Sequence, residues 1–141
     1  YREMSRKDRF HHAVRRALEK DGWIITHDPL YLSVGNVNMQ IDLGAEKLIA
    51  AEKDNQKIAV EIKSFLRTSK ITDFYNVLGQ FLPYKVALAE EEPDRTLYLA
   101  VPNLVYKLLF GEILIQKVLQ QYQVKLIVYN SDLEDIQSWL N

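Results

Sequence analysis

One extended run, residues 57–65, constrains the chain more than any other stretch. Side chains alternate along a strand, so Ile58, Val60 and Ile62 share one face while Ala59, Glu61 and Lys63 share the other. The carboxylate and the ammonium are therefore neighbours on one surface. The rest of the chain must supply a core for the apolar face.

Other extended segments surround this run. Residues 39–42 and 47–53 are separated by Gly44-Ala45, and Asp54-Asn55 reads as a turn, which makes the central unit a strand hairpin. Upstream, Ser5 caps a helix in which Phe10, Ala13, Val14, Ala17 and Leu18 recur at helical spacing up to Gly22. Residues 23–26 and 30–34 read as extended around Pro29, before a turn at Gly35-Asn36. Downstream, Phe74, Val77, Leu78, Phe81, Leu82 and Leu88 mark a long helix that Pro83 should bend. A strand at 96–101 closes on Pro102, a helical region spans 104–122 with an interruption near Gly111, and residues 125–129 form another strand. Residues 133–140 suit either a helical turn or a returning strand. This order predicts the α/β class, a mixed β-sheet flanked by helices.

A length of 141 residues with 48% apolar content and only nine Gly and Pro predicts one ordered domain spanning residues 1–141. Tyr1-Arg2-Glu3 precede a Met and read as an upstream extension. Eighteen Lys and Arg against nineteen Asp and Glu leave a net charge of -1, so bulk attraction to a polyanion is excluded and any nucleic-acid contact must come from a local patch. The absence of cysteine removes disulfides, thiolate metal sites and thiol nucleophiles. No run has membrane-spanning length, and the expected compartment is the cytoplasm.

Asp42 beside Glu61 would present two oxygen ligands of the hard type that Mg²⁺ prefers, with Mn²⁺ as a substitute, leaving room for water and a substrate phosphate. Lys63 could then orient the attacking water and offset charge on the phosphoryl oxygens. The spacing presents a difficulty. A tight turn at Asp54-Asn55 would set Leu48 opposite Glu61 and leave Asp42 six residues away, roughly 20 Å along a straight strand. A bend or bulge at Leu43-Gly44-Ala45-Glu46 is then required, and Glu46 becomes a reserve acidic ligand. The same Glu-apolar-Lys spacing also arises in an ordinary solvent-facing strand. On the long helix, Gln80 and Tyr84 lie with Asp73 and Val77 along one flank of the apolar stripe, where Gln80 could bond a phosphate, a base or Lys63. The alternative is a surface glutamine and a core-edge tyrosine. His11, His12 and His27 show no zinc spacing and read as structural or surface groups, with Asp8 or His11 at most rimming a cleft. Trp23, Tyr31, Tyr106, Phe110 and Trp139 are either core or, where exposed, a patch for a partner or a second copy.

Several long blocks carry a resemblance. Lys7-Asp8-Arg9-Phe10-His11-His12-Ala13-Val14, the stretch from Asp21-Gly22-Trp23 to Asp28-Pro29-Leu30, the block from Ile41-Asp42-Leu43-Gly44 to Glu52-Lys53, and Val60-Glu61-Ile62-Lys63-Ser64-Phe65 resemble the cyanobacterial XisH family of fdxN-element excision controlling factors. The likeness continues through Leu78-Gly79-Gln80-Phe81-Leu82, Asp94-Arg95-Thr96-Leu97 and Leu126-Ile127-Val128-Tyr129-Asn130. It implies a part in programmed excision of a DNA element during heterocyst differentiation, with DNA, a site-specific recombinase and a small XisI-like companion as partners. At fold level the chain resembles the PD-(D/E)XK nuclease superfamily, which implies a restriction-endonuclease-like core. That motif falls on Asp42, Glu61 and Lys63, with the Ile62 backbone carbonyl as an added metal ligand. Ile41 stands where the motif has proline. Gln80-Phe81-Leu82-Pro83-Tyr84 matches the Gln-x-x-x-Tyr helix motif of its RecB-like members. Two functions follow: a Mg²⁺-dependent endonuclease hydrolysing phosphodiester bonds, or a noncatalytic scaffold of the same fold that binds the recombinase, the companion or a second copy of itself as a homo-oligomer.

Overall fold

A computed structural model describes residues 5–48, 55–66 and 69–141. Tyr1-Arg2-Glu3, most of the extended segment 47–53, Asp54 of the expected turn, and Arg67-Thr68 lie outside the described residues.

The first helix, α1 (Arg6–Lys20), begins where the Ser5 side chain accepts a hydrogen bond from the Asp8 N–H at 3.1 Å, satisfying one of the free donors of the first turn. It ends at Asp21-Gly22. Gly22 has φ +92°, a conformation that side-chain-bearing residues rarely adopt. Four strands follow: β1 (Ile24–His27), β2 (Leu30–Val34), β3 (Val37–Ile41) and β4 (Leu43–Leu48), then β5 (Asn55–Ile62). The 22-residue helix α2 (Lys70–Glu91) is capped by Ser69 and runs through Pro83. Both Pro83 and Gly79, whose carbonyl loses the proline's missing N–H, are exposed, so that carbonyl is open to solvent. β6 (Arg95–Pro102), the short helices α3 (Asn103–Leu109) and α4 (Ile113–Gln121), β7 (Lys125–Asn130) and β8 (Asp135–Leu140) complete the chain.

Six strands form one sheet in the order β1-β4-β5-β6-β7-β8, while β2 and β3 make a separate two-stranded ribbon. β5, β6 and β7 run parallel, and the outer pairs β1–β4, β4–β5 and β7–β8 are antiparallel. The sheet is thus mixed, as the order of elements predicts. The parallel strands are apolar on both faces, Leu97 to Val101 in β6 and Leu126 to Tyr129 in β7, because both faces are covered. On one face Ala13, Val14 and Leu18 of α1 pack on Leu43, Ala45, Ile58 and Val60. On the other, Phe74, Val77, Phe81 and Leu88 of α2 pack with Ala59, Leu99, Val101 and the ribbon residues Leu30, Leu32 and Ile41.

The ambiguous segment 133–140 resolves into a strand. Trp139 packs on the α1 face, 5.6 Å from Trp23 and 5.1 Å from Tyr98 between ring centroids, whereas Leu140 packs on the α2 face. Consecutive residues facing opposite sides require period two, not a helical turn. The expected strand 57–65 ends earlier, at Ile62, and Phe65 has a positive φ of 57° as the chain turns toward α2. Among the described residues no helix is long and apolar enough to cross a membrane.

Candidate metal site and its cleft

β4 begins one residue after Asp42, and β5 ends one residue after Glu61. Leu43 pairs with Val60 and Leu48 with Asn55 in regular antiparallel register, which sets Asp42 directly across from Glu61. The spacing difficulty therefore disappears, because Asn55 already pairs with Leu48 inside the ladder, and the register lies six positions from the one that a turn at Asp54-Asn55 would set. No bend or bulge is needed at residues 43–46, which form a regular part of β4.

Backbone donors lock the two carboxylates in place. The Ile62 N–H donates to Asp42 Oδ2 at 2.7 Å, and the Asp42 N–H donates to Glu61 Oε1 at 3.3 Å. Glu61 is only 8% exposed. Burial, then the charge of Asp42 and a side-chain hydrogen bond with it, push the Glu61 carboxyl from 4.5 up to about 9, opposed by the Asp42 backbone hydrogen bond and then by the Lys63 charge. Two acids held this close at the wall of a cleft suit a hard divalent cation, whose charge would relieve their mutual repulsion. No group of three His, Asp or Glu side chains converges among the described residues. The donor set is thus a carboxylate pair of the kind that Mg²⁺ accepts while keeping water or phosphate at its other positions.

Glu46 does not join this pair. It stands four residues along β4 from Asp42, opposite Lys57, with its carboxylate 3.9 Å from the buried Arg95 guanidinium. Ile62 lines the cleft, and its N–H is engaged by Asp42. Lys63 follows β5 directly, lines the cleft, and has its Nζ 3.9 Å from Asp73 Oδ1 in the first turn of α2. Asp73, fully buried, is on the helix flank that the sequence marks, but the sequence assigns it no role. Its place on the flank shared with Val77, Gln80 and Tyr84 was the available signal.

Gln80 lines the same cleft, about 320 Å³, together with Phe10 and His11 of α1. Tyr84 is half-buried against the α2-side core, and its hydroxyl is pushed up to about 12 by burial and then by the Glu61 and Asp42 charges. That hydroxyl stays protonated at neutral pH and is a donor beside the carboxylates. His11 reaches the rim with its Nε2 2.7 Å from Asp28 Oδ1, and Arg15 Nη1 donates to Asp28 Oδ2 at 2.6 Å. Asp8 instead sits in the exposed first turn of α1 and does not line the cleft.

A larger hollow of about 860 Å³, lined by Ile113, Gln116, Leu119, Val124 and Leu140 among others, has no Asp or Glu among its described lining residues. The converging acids, not volume, set the smaller cleft apart. The aromatic set separates as well. Trp23 and Phe110 are core, Tyr106 and Trp139 are half-buried, and only Tyr31 is exposed, so these five do not form a surface patch.

Comparison with known proteins agrees with this architecture. The model of the XisH protein family matches residues 4–137. The crystal structure of an XisH family protein from Nostoc punctiforme is 46% identical, covers 95% of this chain and 100% of its own, and superposes with a TM-score of 0.87. That of an fdxN element excision controlling factor protein from Anabaena variabilis is 47% identical, covers 95% of this chain and 99% of its own, and has a TM-score of 0.85. No curated protein matches the chain. With the family pattern running almost from end to end and two solved members sharing nearly half its residues, the chain belongs to the XisH family.

Proposed function

We propose that this chain is a Mg²⁺-dependent DNA-processing factor with a restriction-endonuclease-like core, acting in the control of DNA element excision. The observation that carries the reading is the direct pairing of Asp42 with Glu61 at the wall of a cleft that also holds Lys63 and Gln80. Asp42, Glu61 and the Ile62 carbonyl would hold the ion, with Mn²⁺ able to replace Mg²⁺. The ion would supply Lewis acidity at the phosphoryl oxygen and a more acidic bound water. Lys63 offsets charge that grows on the phosphate and helps to orient the water, while its contact with Asp73 fixes the amine at the cleft edge. Gln80, in the cleft lining, would bond a phosphate or a base, and the protonated Tyr84 hydroxyl would be available as a donor.

Calorimetric titration with Mg²⁺ and Mn²⁺, combined with cleavage assays on supercoiled, linear and branched DNA with and without an XisI-like companion, tests the reading. Binding that is lost in Glu61→Gln, together with metal-dependent cleavage, is the expected result. A folded wild type that neither binds metal nor cuts any of these substrates would overturn it.

A second reading rests on a separate observation. α3 and α4 expose Leu104, Leu108, Ile113 and Leu114, each more than 60% accessible, next to the larger hollow. Exposed aliphatics of this kind suit a protein partner such as the companion, a recombinase or a second copy. On this reading the chain is a scaffold that retains its acid pair without cutting. Light scattering with and without the companion separates the two: a strict monomer that forms no complex counts against the scaffold.

A further inference from the structure

The ribbon of β2 and β3 is absorbed by neither reading. Its inner residues Leu30, Leu32 and Ile41 are buried against α2, but its outer face is exposed and consists of Tyr31, Ser33, Asn38 and Gln40. These form two cross-strand pairs, Tyr31 with Gln40 and Ser33 with Asn38, and the Ser33 hydroxyl donates to Asn38 Oδ1 at 2.8 Å. That bond orients the Asn38 amide so that its NH₂ donors remain for an outside partner. From Pro29 to Ile41 there is no charged residue, in a chain that is 26% charged. Exposed strands are ordinarily guarded by charge, lysine above all, against pairing with other chains. This one carries hydrogen-bonding amides, a hydroxyl and an aromatic ring instead.

Two further features give the ribbon a direction. β3 ends at Ile41, one residue before Asp42, so the ribbon is continuous with the acid pair. At its other root, Asp28 is bound by His11 and Arg15 of α1, tying the ribbon's base to a helix whose sequence holds six Lys and Arg against two Asp and Glu. A basic helix, a metal site and a neutral amide-bearing ribbon thus adjoin. The first suits phosphates and the last suits base edges.

We propose that the outer face of the β2–β3 ribbon reads base edges in the major groove of duplex DNA, with Asn38 and Gln40 as the specifying side chains. The proposal rests on the DNA-processing reading and deepens it by naming a duplex, sequence-selected substrate. Two strands about 4.8 Å apart with their side chains fit a groove about 12 Å wide and not one about 6 Å wide. Asn and Gln amides match the donor and acceptor pair that adenine presents there. Along an extended strand Asn38 stands about 13 Å and Gln40 about 7 Å from Asp42. At about 3.4 Å per base pair, the bases read lie roughly two to four pairs from the phosphate at the acid pair.

The test is selection of the full-length protein on a random duplex pool in Ca²⁺, at about physiological salt, followed by sequencing of the bound fraction. Wild type should enrich a short motif. Asn38→Ala/Gln40→Ala, which alters only exposed outer-face side chains, should lose the preference for that motif over a shuffled duplex by roughly ten- to a hundredfold, while its salt-dependent binding to shuffled duplex stays the same. A ribbon with a purely structural role would not divide the two quantities in this way. Circular dichroism and a thermal melt establish that the variant is folded. Absence of any enriched motif with wild type, or the same motif at the same strength with the variant, overturns the proposal. A motif that depends on Asn38 and Gln40, bound by a wild type that does not cut it in Mg²⁺, upholds the ribbon and removes the cleavage reading.

Discussion

Glu61 should make the metal-free protein less stable as the pH rises. Its carboxyl is pushed up to about 9 in the fold, against 4.5 for an ordinary glutamic acid, chiefly by burial and then by Asp42. Between these two values the folded chain binds a proton that the unfolded chain has released. The contribution is fully present below pH 4.5 and is lost progressively as the pH rises to about 9. Each pH step is worth about 1.4 kcal/mol, so the 2.5 steps from 4.5 to 7 remove on the order of 3 kcal/mol, a large part of the stability of a typical domain. Glu61→Gln is neutral at every pH and keeps the shape of the protonated acid. In chelator it should match wild type near pH 4 and exceed its stability at pH 7 by up to about 3 kcal/mol.

Urea unfolding at intervals from pH 4 to 9 in EDTA measures this directly. The same carboxyl should give up its proton when metal binds, so calorimetry at pH 7 in buffers of different ionisation enthalpy should show release of close to one proton in wild type. Mg²⁺ at a hundred times its dissociation constant should stabilise wild type by about 2.7 kcal/mol and leave Glu61→Gln nearly unchanged. Wild-type and variant profiles that stay parallel across the whole range would refute the argument, since the pair would then carry no shared proton.

Three further outcomes follow from the geometry. Lys63→Ala should leave Mg²⁺ affinity within a few-fold of wild type and lower DNA cleavage about 10²- to 10³-fold, measured in single-turnover assays, because its amine lines the cleft without being a ligand. Phe81→Ala, at a side chain 1% exposed between α2 and the sheet, should cost about 3–5 kcal/mol in denaturant unfolding. Ser5→Ala removes the hydroxyl that accepts from the Asp8 N–H and should cost about 1 kcal/mol by the same assay.

Periodicity made most elements legible because each has one buried face. α1 shows Ala13, Val14, Ala17 and Leu18 at helical spacing, and β2 alternates Leu30 and Leu32 with Tyr31 and Ser33. What periodicity could not supply was register. The alternation that placed Glu61 and Lys63 on one face holds for every even shift of the hairpin, so the six-residue displacement that brings Asp42 beside Glu61 is invisible to it. Asp54-Asn55 carries a local turn signal, but in the fold Asn55 is already paired with Leu48 in the ladder, so that signal points to the wrong register. β8 stays ambiguous in the sequence for a different reason. As an edge strand it puts Trp139 on one core and Leu140 on the other, which destroys simple alternation of apolar and polar residues.

The place of the acid pair follows from the mixed sheet itself. β5 is the strand at which pairing changes from antiparallel, with β4, to parallel, with β6. At its carboxyl end the chain leaves the sheet toward α2, with Ile62 beside Ala100, while β6 runs two residues further to Pro102. An antiparallel neighbour must run the other way, so its first residues stand where the last residues of β5 do. A ligand site at the carboxyl end of a parallel strand can therefore draw on two segments at once: Glu61 and Lys63 from the strand that is ending and Asp42 from the strand that is beginning. The backbone supplies the cross-links, since the Ile62 N–H holds Asp42 and the Asp42 N–H holds Glu61. In open α/β sheets ligands bind just outside the carboxyl ends of the strands, where departing chains leave a crevice. Here α2 forms one wall of that crevice with Gln80 and α1 forms another with Phe10 and His11. Moving either carboxylate by one residue would turn it into the core, so the site and the register of β4 on β5 cannot vary independently.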